Sequence, residues 1–304
     1  FEGHYHGWVD TVLLSHHPRA EAVGDPAEPS VVPESEGQVP NAVENVVVRQ
    51  WNDLDSLTQA FAEHPGEIAA VVMEPVLCNS GCLLPREGYL QAVRALCDAH
   101  GALLVFDEII TGFRIGLRGA QGRYGVTPDL ATFGKAIGGG LPLSVVTGRA
   151  EVMERVGRGV SFGGTFNGNP LSLAGAHATL TALEADDGAL LVEANRLGAR
   201  LRDGIQERAD TRRIPLRVTG FGTAFALHFT ARRELACYRD TLEDDKARLQ
   251  QFMTLALGKG VAMVADGRFY VSTAHDEDVI ADTLAVVDAV LDEMISSSRE
   301  GTPR

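Results

Sequence analysis

Three charged side chains, Glu74, Asp107 and Lys135, each stand at the end of a short apolar run: residues 69–73, 102–106 and 130–134. A carboxylate and an amine held side by side can neutralise one another as a buried ion pair. A lysine in such a place can also bind phosphate or do chemistry of its own. A phosphate loop of the Gly-x4-Gly-Lys-Ser/Thr kind is excluded, because Asp129 stands at its first glycine and Ala136 follows the lysine. The flanks hold more glycine than an ion pair requires: Gly134 before the lysine, then Gly138, Gly139 and Gly140 with Pro142 after it. Glycine lets backbone approach closely. On these residues alone, ion pair and catalytic lysine both stay open.

The elements that must position these residues follow from the pattern. Short continuous apolar runs separated by helical or irregular stretches are expected to be buried parallel strands. Tyr89, Leu90, Val93, Leu96 and Cys97 recur at helical spacing and Gly101 ends that helix, which makes a crossover between two parallel strands. Ligands of an open α/β sheet lie beyond the carboxyl ends of its strands, so Glu74, Asp107 and Lys135 are expected to face one crevice. Asp53 starts a short amphipathic helix with Leu54, Leu57 and Phe61. Residues 15–40 are rich in Pro, Glu, Ser and Gly without hydrophobic period, a long loop of the functional or disordered kind. His4 and His6 alternate, so on a strand they share a face; hydrogen-bonded histidines are expected there rather than a metal pair.

Pro170 suits a first helical turn, and residues 171–183 are expected to form a tightly packed helix. Leu190, Ala194, Leu197, Leu201 and Ile205 make a second helical stripe, and Ile280, Leu284, Val287, Leu291 and Met294 a last one. Strands are expected within 214–229 and 261–272, around a helix over 244–257. The order implies a smaller α+β domain over 186–304 after a larger α/β domain over 1–185. The polar tail 296–304 is expected to fray.

With 304 residues, 45% of them hydrophobic, the chain can bury one large core or two smaller ones. It carries 27 basic against 41 acidic residues, a net of -14, and no basic patch, so no nucleic-acid partner is expected. No apolar run approaches a membrane span and no secretory signal is visible, so a cytoplasmic location is expected. Cys78, Cys82, Cys97 and Cys237 read as buried thiols, and no second cysteine pair with zinc spacing follows Cys78 and Cys82. No metal is expected.

Three segments carry a family resemblance. They are Phe106-Asp107-Glu108-Ile109-Ile110-Thr111-Gly112-Phe113-Arg114, Thr127-Pro128-Asp129-Leu130 and Gly134-Lys135-Ala136-Ile137-Gly138-Gly139-Gly140-Leu141-Pro142. Together they resemble the class III aminotransferases, pyridoxal-phosphate enzymes of fold type I, and most of all their glutamate-1-semialdehyde aminomutase branch. The resemblance runs from Phe1 to about Leu291. It implies a mostly parallel sheet in a large domain plus a small α+β domain, pyridoxal 5'-phosphate as cofactor, and a small-molecule amino donor and acceptor. It further implies that Lys135 forms the Schiff base and shuttles the proton, with its amine kept neutral by the cationic ring nearby. Asp107 would keep the ring nitrogen protonated, which makes the substrate Cα–H acidic.

The same resemblance makes Tyr5 of Tyr5-His6-Gly7 the residue covering the cofactor ring, with His6 beside it. Glu74 is the glutamate of Glu-Pro-Val, and Asn79 the asparagine donating to the cofactor's phenolic oxygen. Thr165 of Gly163-Gly164-Thr165 would reach the phosphate of the neighbouring subunit's cofactor, which implies a homodimer. Relatives carry a phosphate-binding loop before the segment matched by Phe1, so the chain is expected to be an N-terminally truncated member. The loop over 15–40 corresponds to one that gates the site. Aminomutases carry a glutamate before a Phe-Thr-Ser-Leu-Ala-His run. Here Asp266-Gly267-Arg268 precedes Phe269-Tyr270-Val271-Ser272-Thr273-Ala274-His275. That difference favours a two-substrate transaminase, acting on an amino acid such as a β-amino acid, with Arg268 either a carboxylate contact or a solvated loop residue. Two alternatives remain: an aminomutase, and a remnant that cannot hold cofactor.

Overall fold

The computed structural model describes the backbone of residues 1–300 and the side chains of residues 1–297. The chain divides into two compact units, one of residues 1–79 with 85–191 and the other of residues 80–84 with 192–304.

In the first unit the Asp53 carboxylate accepts the Ser56 N–H at 3.0 Å and caps α1 (Leu54–Glu63), satisfying one of the open donors of the first turn. Strand β1 (Ala70–Met73) leads through α2 (Tyr89–His100) to β2 (Leu103–Asp107), and α3 (Gly119–Tyr124) precedes β3 (Leu130–Phe133). These three strands are parallel neighbours, and β4 (Val145–Gly148) adds antiparallel to β3. The strands are less uniformly buried than their apolar runs imply. Val71 and Met73 are buried while Val72 on the opposite face is 36% exposed, because alternate side chains of a strand leave on opposite faces.

Downstream lie α4 (Ala150–Met153) and α5 (Pro170–Glu184), the latter opened by Asn169, whose Oδ1 accepts the Leu171 and Ser172 N–H groups. The tight packing expected of α5 is not what forms. Within this chain it buries only Ser172, Ala176 and Leu183, and leaves Leu171 67% and Leu173 49% exposed. It packs against the 3-10 turn Lys135–Gly138 and against the turn Ala185–Gly188 that follows it. A Cβ on Gly175 would come within 2.6 Å of Leu141 Cδ1, and one on Gly139 (φ 57°) within 2.4 Å of Thr179 Oγ1. The glycines around Lys135 thus admit a helix rather than only a ligand.

Residues 15–40 form a loop with its own hydrogen bonds. Ser15, fully buried, donates its N–H to Val32 O, accepts Val32 N–H on Oγ and donates Oγ–H to Ser30 O.

In the second unit β5 (Leu216–Phe221), β6 (Ala224–Phe229) and β7 (Arg268–Tyr270) make an antiparallel sheet in that order. The strand expected over 261–272 shrinks to three residues because the chain turns at Gly267, φ 84°. The core joins Leu197, Leu201 and Ile205 of α6 (Ala189–Thr211), Phe252 of α7 (Lys246–Gly258), and Ile280, Val287 and Leu291 of α8 (Glu277–Glu300) to Phe225 and Phe229. Ion pairs Arg208–Asp288 at 2.8 Å and Arg212–Asp292 at 2.7 Å tie α6 to α8. Fraying was expected from residue 296, yet α8 runs on to Glu300, and Ser296 and Ser297 donate back to Asp292 O and Glu293 O. Residues 301–304 of that tail lie outside the described residues.

Candidate active site

The parallel arrangement brings three strand ends to one edge of the sheet. Met73 pairs in register with Phe106, so Glu74 and Asp107 follow adjacent positions, and Asp107 pairs with Thr132, three residues before Lys135.

Asp107 is bound on both oxygens. Oδ2 accepts from His6 Nδ1 at 2.9 Å, and Oδ1 accepts the Ile109 N–H at 3.1 Å and the Thr132 hydroxyl at 3.4 Å. Both side chains are largely buried, His6 at 13% and Asp107 at 11% exposure. Among the described residues the ion-pair partner of Asp107 is therefore His6, and a plain Asp107–Lys135 bridge is not the arrangement formed. The sequence offered no signal for Thr132; only the strand register places its hydroxyl beside Asp107.

Lys135 is exposed and opens its 3-10 turn in the left-handed region, φ 47°. For a residue with a Cβ that conformation costs on the order of 1–2 kcal/mol. The packing of α5 on the same turn holds it there. The lysine is thus aimed by tertiary structure, not by its own preference.

Glu74 is a buried hub. Its Oε1 accepts the Tyr5 N–H and the Asn79 Nδ2–H, both at 2.9 Å. Its Oε2 accepts the Cys78 N–H at 2.9 Å and the Asn79 N–H at 3.1 Å. Four donors saturate a carboxylate. Burial pushes this carboxyl above its usual range, while the His6 charge and the bonds from Asn79 and Tyr5 pull it back. Its backbone N–H goes to His4 Nδ1 at 2.9 Å, which puts the His4 proton on Nε2. Burial lowers the His4 pKa well below the usual value and keeps that ring neutral. Each of the two rings thus spends its Nδ1 on a protein partner, His4 on the Glu74 N–H and His6 on Asp107.

Glu108, next to Asp107, has a different task. It is fully buried and accepts from the Thr111 hydroxyl, the Ala120 and Gln121 N–H groups and the Gln121 amide. Asp129 is buried as well, between Arg94 at 2.7 Å and Arg149 at 2.8 Å, and it accepts the Leu104 N–H at 2.7 Å. It locks β3 beside β2.

Thr165 lies in an exposed turn with Phe162 and Phe166, which are 66% and 82% exposed. Among the described residues no hydrogen bond joins Thr165 to the Asp107 and Glu74 cluster. In the second unit the Arg268 guanidinium is engaged by its own neighbours. Nε and Nη2 bind Asp266 at 2.9 and 2.6 Å, and Nη1 donates to the Tyr270 hydroxyl at 3.2 Å.

Residues 1–295 match the model of the aminotransferase class-III family. The chain belongs to that family. It is 39% identical over 295 residues to a glutamate-1-semialdehyde 2,1-aminomutase 2 of Lachnoclostridium phytofermentans, a match covering 96% of this chain and 67% of that protein. Its fold superposes on the omega-transaminase of Sphaerobacter thermophilus with TM-score 0.89 at 30% identity, covering 96% of this chain and 67% of the other. The β-phenylalanine aminotransferase of Variovorax paradoxus matches with TM-score 0.78 at 27% identity, covering 97% of this chain and 64% of the other. The fold is that of fold type I, and the protein is a pyridoxal-phosphate-dependent enzyme of small-molecule substrates. The residues present fit the cofactor: an amine at one strand end, an anchored carboxylate at the next, and a side-chain amide positioned by its bond to Glu74. Among the described residues no helix is long and apolar enough to cross a membrane.

Proposed function

We propose that the protein is a transaminase that moves an amino group between an amino acid, such as a β-amino acid, and a keto acid or aldehyde. The observation that carries the site is the shared carboxyl edge of β1, β2 and β3, with Asp107 fixed by His6 and Lys135 held at positive φ. When bound, pyridoxal phosphate supplies the electron sink that makes a substrate Cα–H acidic. Lys135 is the residue that carries it, and the Lys135 amine takes and returns the substrate proton once released. Asp107 would hold the ring nitrogen, and a carboxylate beside that nitrogen would keep it protonated. His6 Nδ1–H on Oδ2, with Ile109 N–H and Thr132 on Oδ1, orients the carboxylate. The ring of Tyr5, whose backbone N–H is tied to Glu74, would cover the cofactor. The Asn79 amide spends one hydrogen on Glu74, and its other hydrogen would be the donor to the cofactor's phenolic oxygen.

Residues 1–185 are assigned to the cofactor-binding domain and 186–304 to the small domain. Thr165 serves a second copy of the chain. The exposed Phe162, Phe166, Leu171 and Leu173 around it support a homodimer, since apolar surface of that extent marks an interface. Four buried free thiols support a cytoplasmic location.

A transaminase is favoured over an aminomutase because Gly267 and a neutralised Arg268 stand where aminomutases carry a glutamate. The test supplies glutamate 1-semialdehyde alone, then with pyruvate and an amino donor. Transaminase action requires the second partner. Complete conversion to 5-aminolevulinate with no acceptor present would establish the mutase reading instead.

A further inference from the structure

Three side chains outside the chemistry above converge at the two ends of the 15–34 loop. His16, His17 and Glu34 bring one ligand atom each to within 4.8 Å of one another. The backbone sets up this meeting. Leu14 bridges Pro33 antiparallel, Glu34 donates its N–H to Leu13 O at 3.3 Å, and Ser15, at φ 48°, is clasped to residues 30 and 32. The left-handed turn at Ser15 lets two consecutive histidines fall on the same side. Their ring centroids lie 3.6 Å apart, with planes inclined 34°.

Glu34 is aimed at the pair. Its Oε2 accepts the His17 N–H at 3.0 Å, and Oε1 lies 3.9 Å from His16 Nδ1. His17 Nε2 lies 3.3 Å from the Asn79 carbonyl oxygen. A carbonyl there takes the Nε2 proton and leaves the lone pair of His17 on Nδ1. This is the outer hydrogen bond that metal-ligating histidines make, fixing tautomer and ring direction.

We propose that His16, His17 and Glu34 form a site for a divalent transition metal, zinc above all, that staples the two ends of the 18–33 loop. Two imidazoles and one carboxylate suit zinc, copper or nickel rather than magnesium or calcium. With three protein ligands, a tetrahedral ion keeps one position for water. Closing the loop removes chain freedom from it. His16 packs on Tyr5 with ring centroids 4.9 Å apart, and His17 meets Asn79. The ion would thus tie the loop to two residues assigned to the cofactor. That last link rests on the proposed function; metal binding does not.

The test is calorimetric titration of zinc chloride into tag-free, chelator-treated protein, beside His17→Ala, Glu34→Gln and the control His64→Asn. His64 pairs with Glu67 at 3.6 Å elsewhere on the surface and offers a second histidine–acid pair. One equivalent of zinc should bind. Affinity should fall about tenfold or more in the His17 and Glu34 variants and stay unchanged in the His64 variant and in excess magnesium. Saturating zinc should slow tryptic cleavage after Arg19, an exposed residue inside the loop, in the parent protein but not in Glu34→Gln. Circular dichroism confirms that each variant is folded. Absence of binding, or binding that survives both variants, would overturn the proposal. These readouts are independent of amino transfer, so failure of one reading leaves the other standing.

Discussion

Glu74→Gln is the sharpest perturbation of the architecture, because it changes one atom of a saturated hub. The carboxylate accepts four N–H groups, from Tyr5, Cys78 and both nitrogens of Asn79, and the residue is 3% exposed. A glutamine keeps one oxygen and turns an NH2 group toward two of those donors. Two of those donors, at least one of them only partly buried, then lose their acceptor, at about 1–3 kcal/mol each. Burial already works against the charged glutamate, and removing that charge returns part of the loss. The expected net destabilisation is about 2–4 kcal/mol. Trp51 makes a local probe, being 1% exposed in the same unit, whereas Trp8 is 77% exposed and reports little. The assay is a urea melt followed by tryptophan fluorescence, paired with a titration of cofactor. The variant should melt earlier and bind pyridoxal phosphate at least about tenfold more weakly, since ~1.4 kcal/mol of misplacement at Tyr5 and Asn79 is enough. A Glu74→Gln protein with parental midpoint and affinity would show that Glu74 is not the hub.

Borohydride reduction of the cofactor-loaded enzyme should label Lys135 in a peptide map, and a label on Lys246 or Lys259 would refute the assignment. Asp107→Asn should keep that attachment yet lower kcat on the order of 10²–10³-fold, as for loss of one aimed electrostatic group, and an unchanged kcat would remove Asp107 from the chemistry. Burial works to raise the Asp129 carboxyl, but the Leu104 N–H, Arg94 and Arg149 outweigh it and hold its pKa below the usual value. Its contribution is full above the ordinary aspartate range, near pH ~4, and is lost as pH falls through the lower folded value. Arg94→Ala should therefore cost about 1.5–3 kcal/mol at pH 7, with the difference from parent shrinking in acid melts, and Arg149→Ala, more exposed, should cost less. Arg268→Met should weaken the second unit without raising KM for the substrate carboxylate, since its donors are taken by Asp266 and Tyr270; a large rise in KM would restore it as a substrate contact.

Much of the site is legible in the sequence because its local determinants are local. A run of apolar residues ending in a charge marks a strand and its carboxyl end, and Asp53, Gly101 and Pro170 mark helix ends through their own backbone preferences. Those signals placed Glu74, Asp107 and Lys135 at one sheet edge, where the parallel register puts them. What each residue touches was decided by contacts far apart in the chain. Asp107 meets His6 across 101 positions, and Tyr5 meets Glu74 across 69; no spacing rule encodes such pairs. The helix over 170–184 reads as core by composition, yet whether its apolar surface is covered depends on what packs against it, and within one chain most is not. Arg268 and Asp266 are only two residues apart, but their side chains meet because Gly267, at φ 84°, turns the chain between them. Hydrophobic period and capping act over a turn or a strand, whereas the partners of a buried charge are chosen by the packed whole.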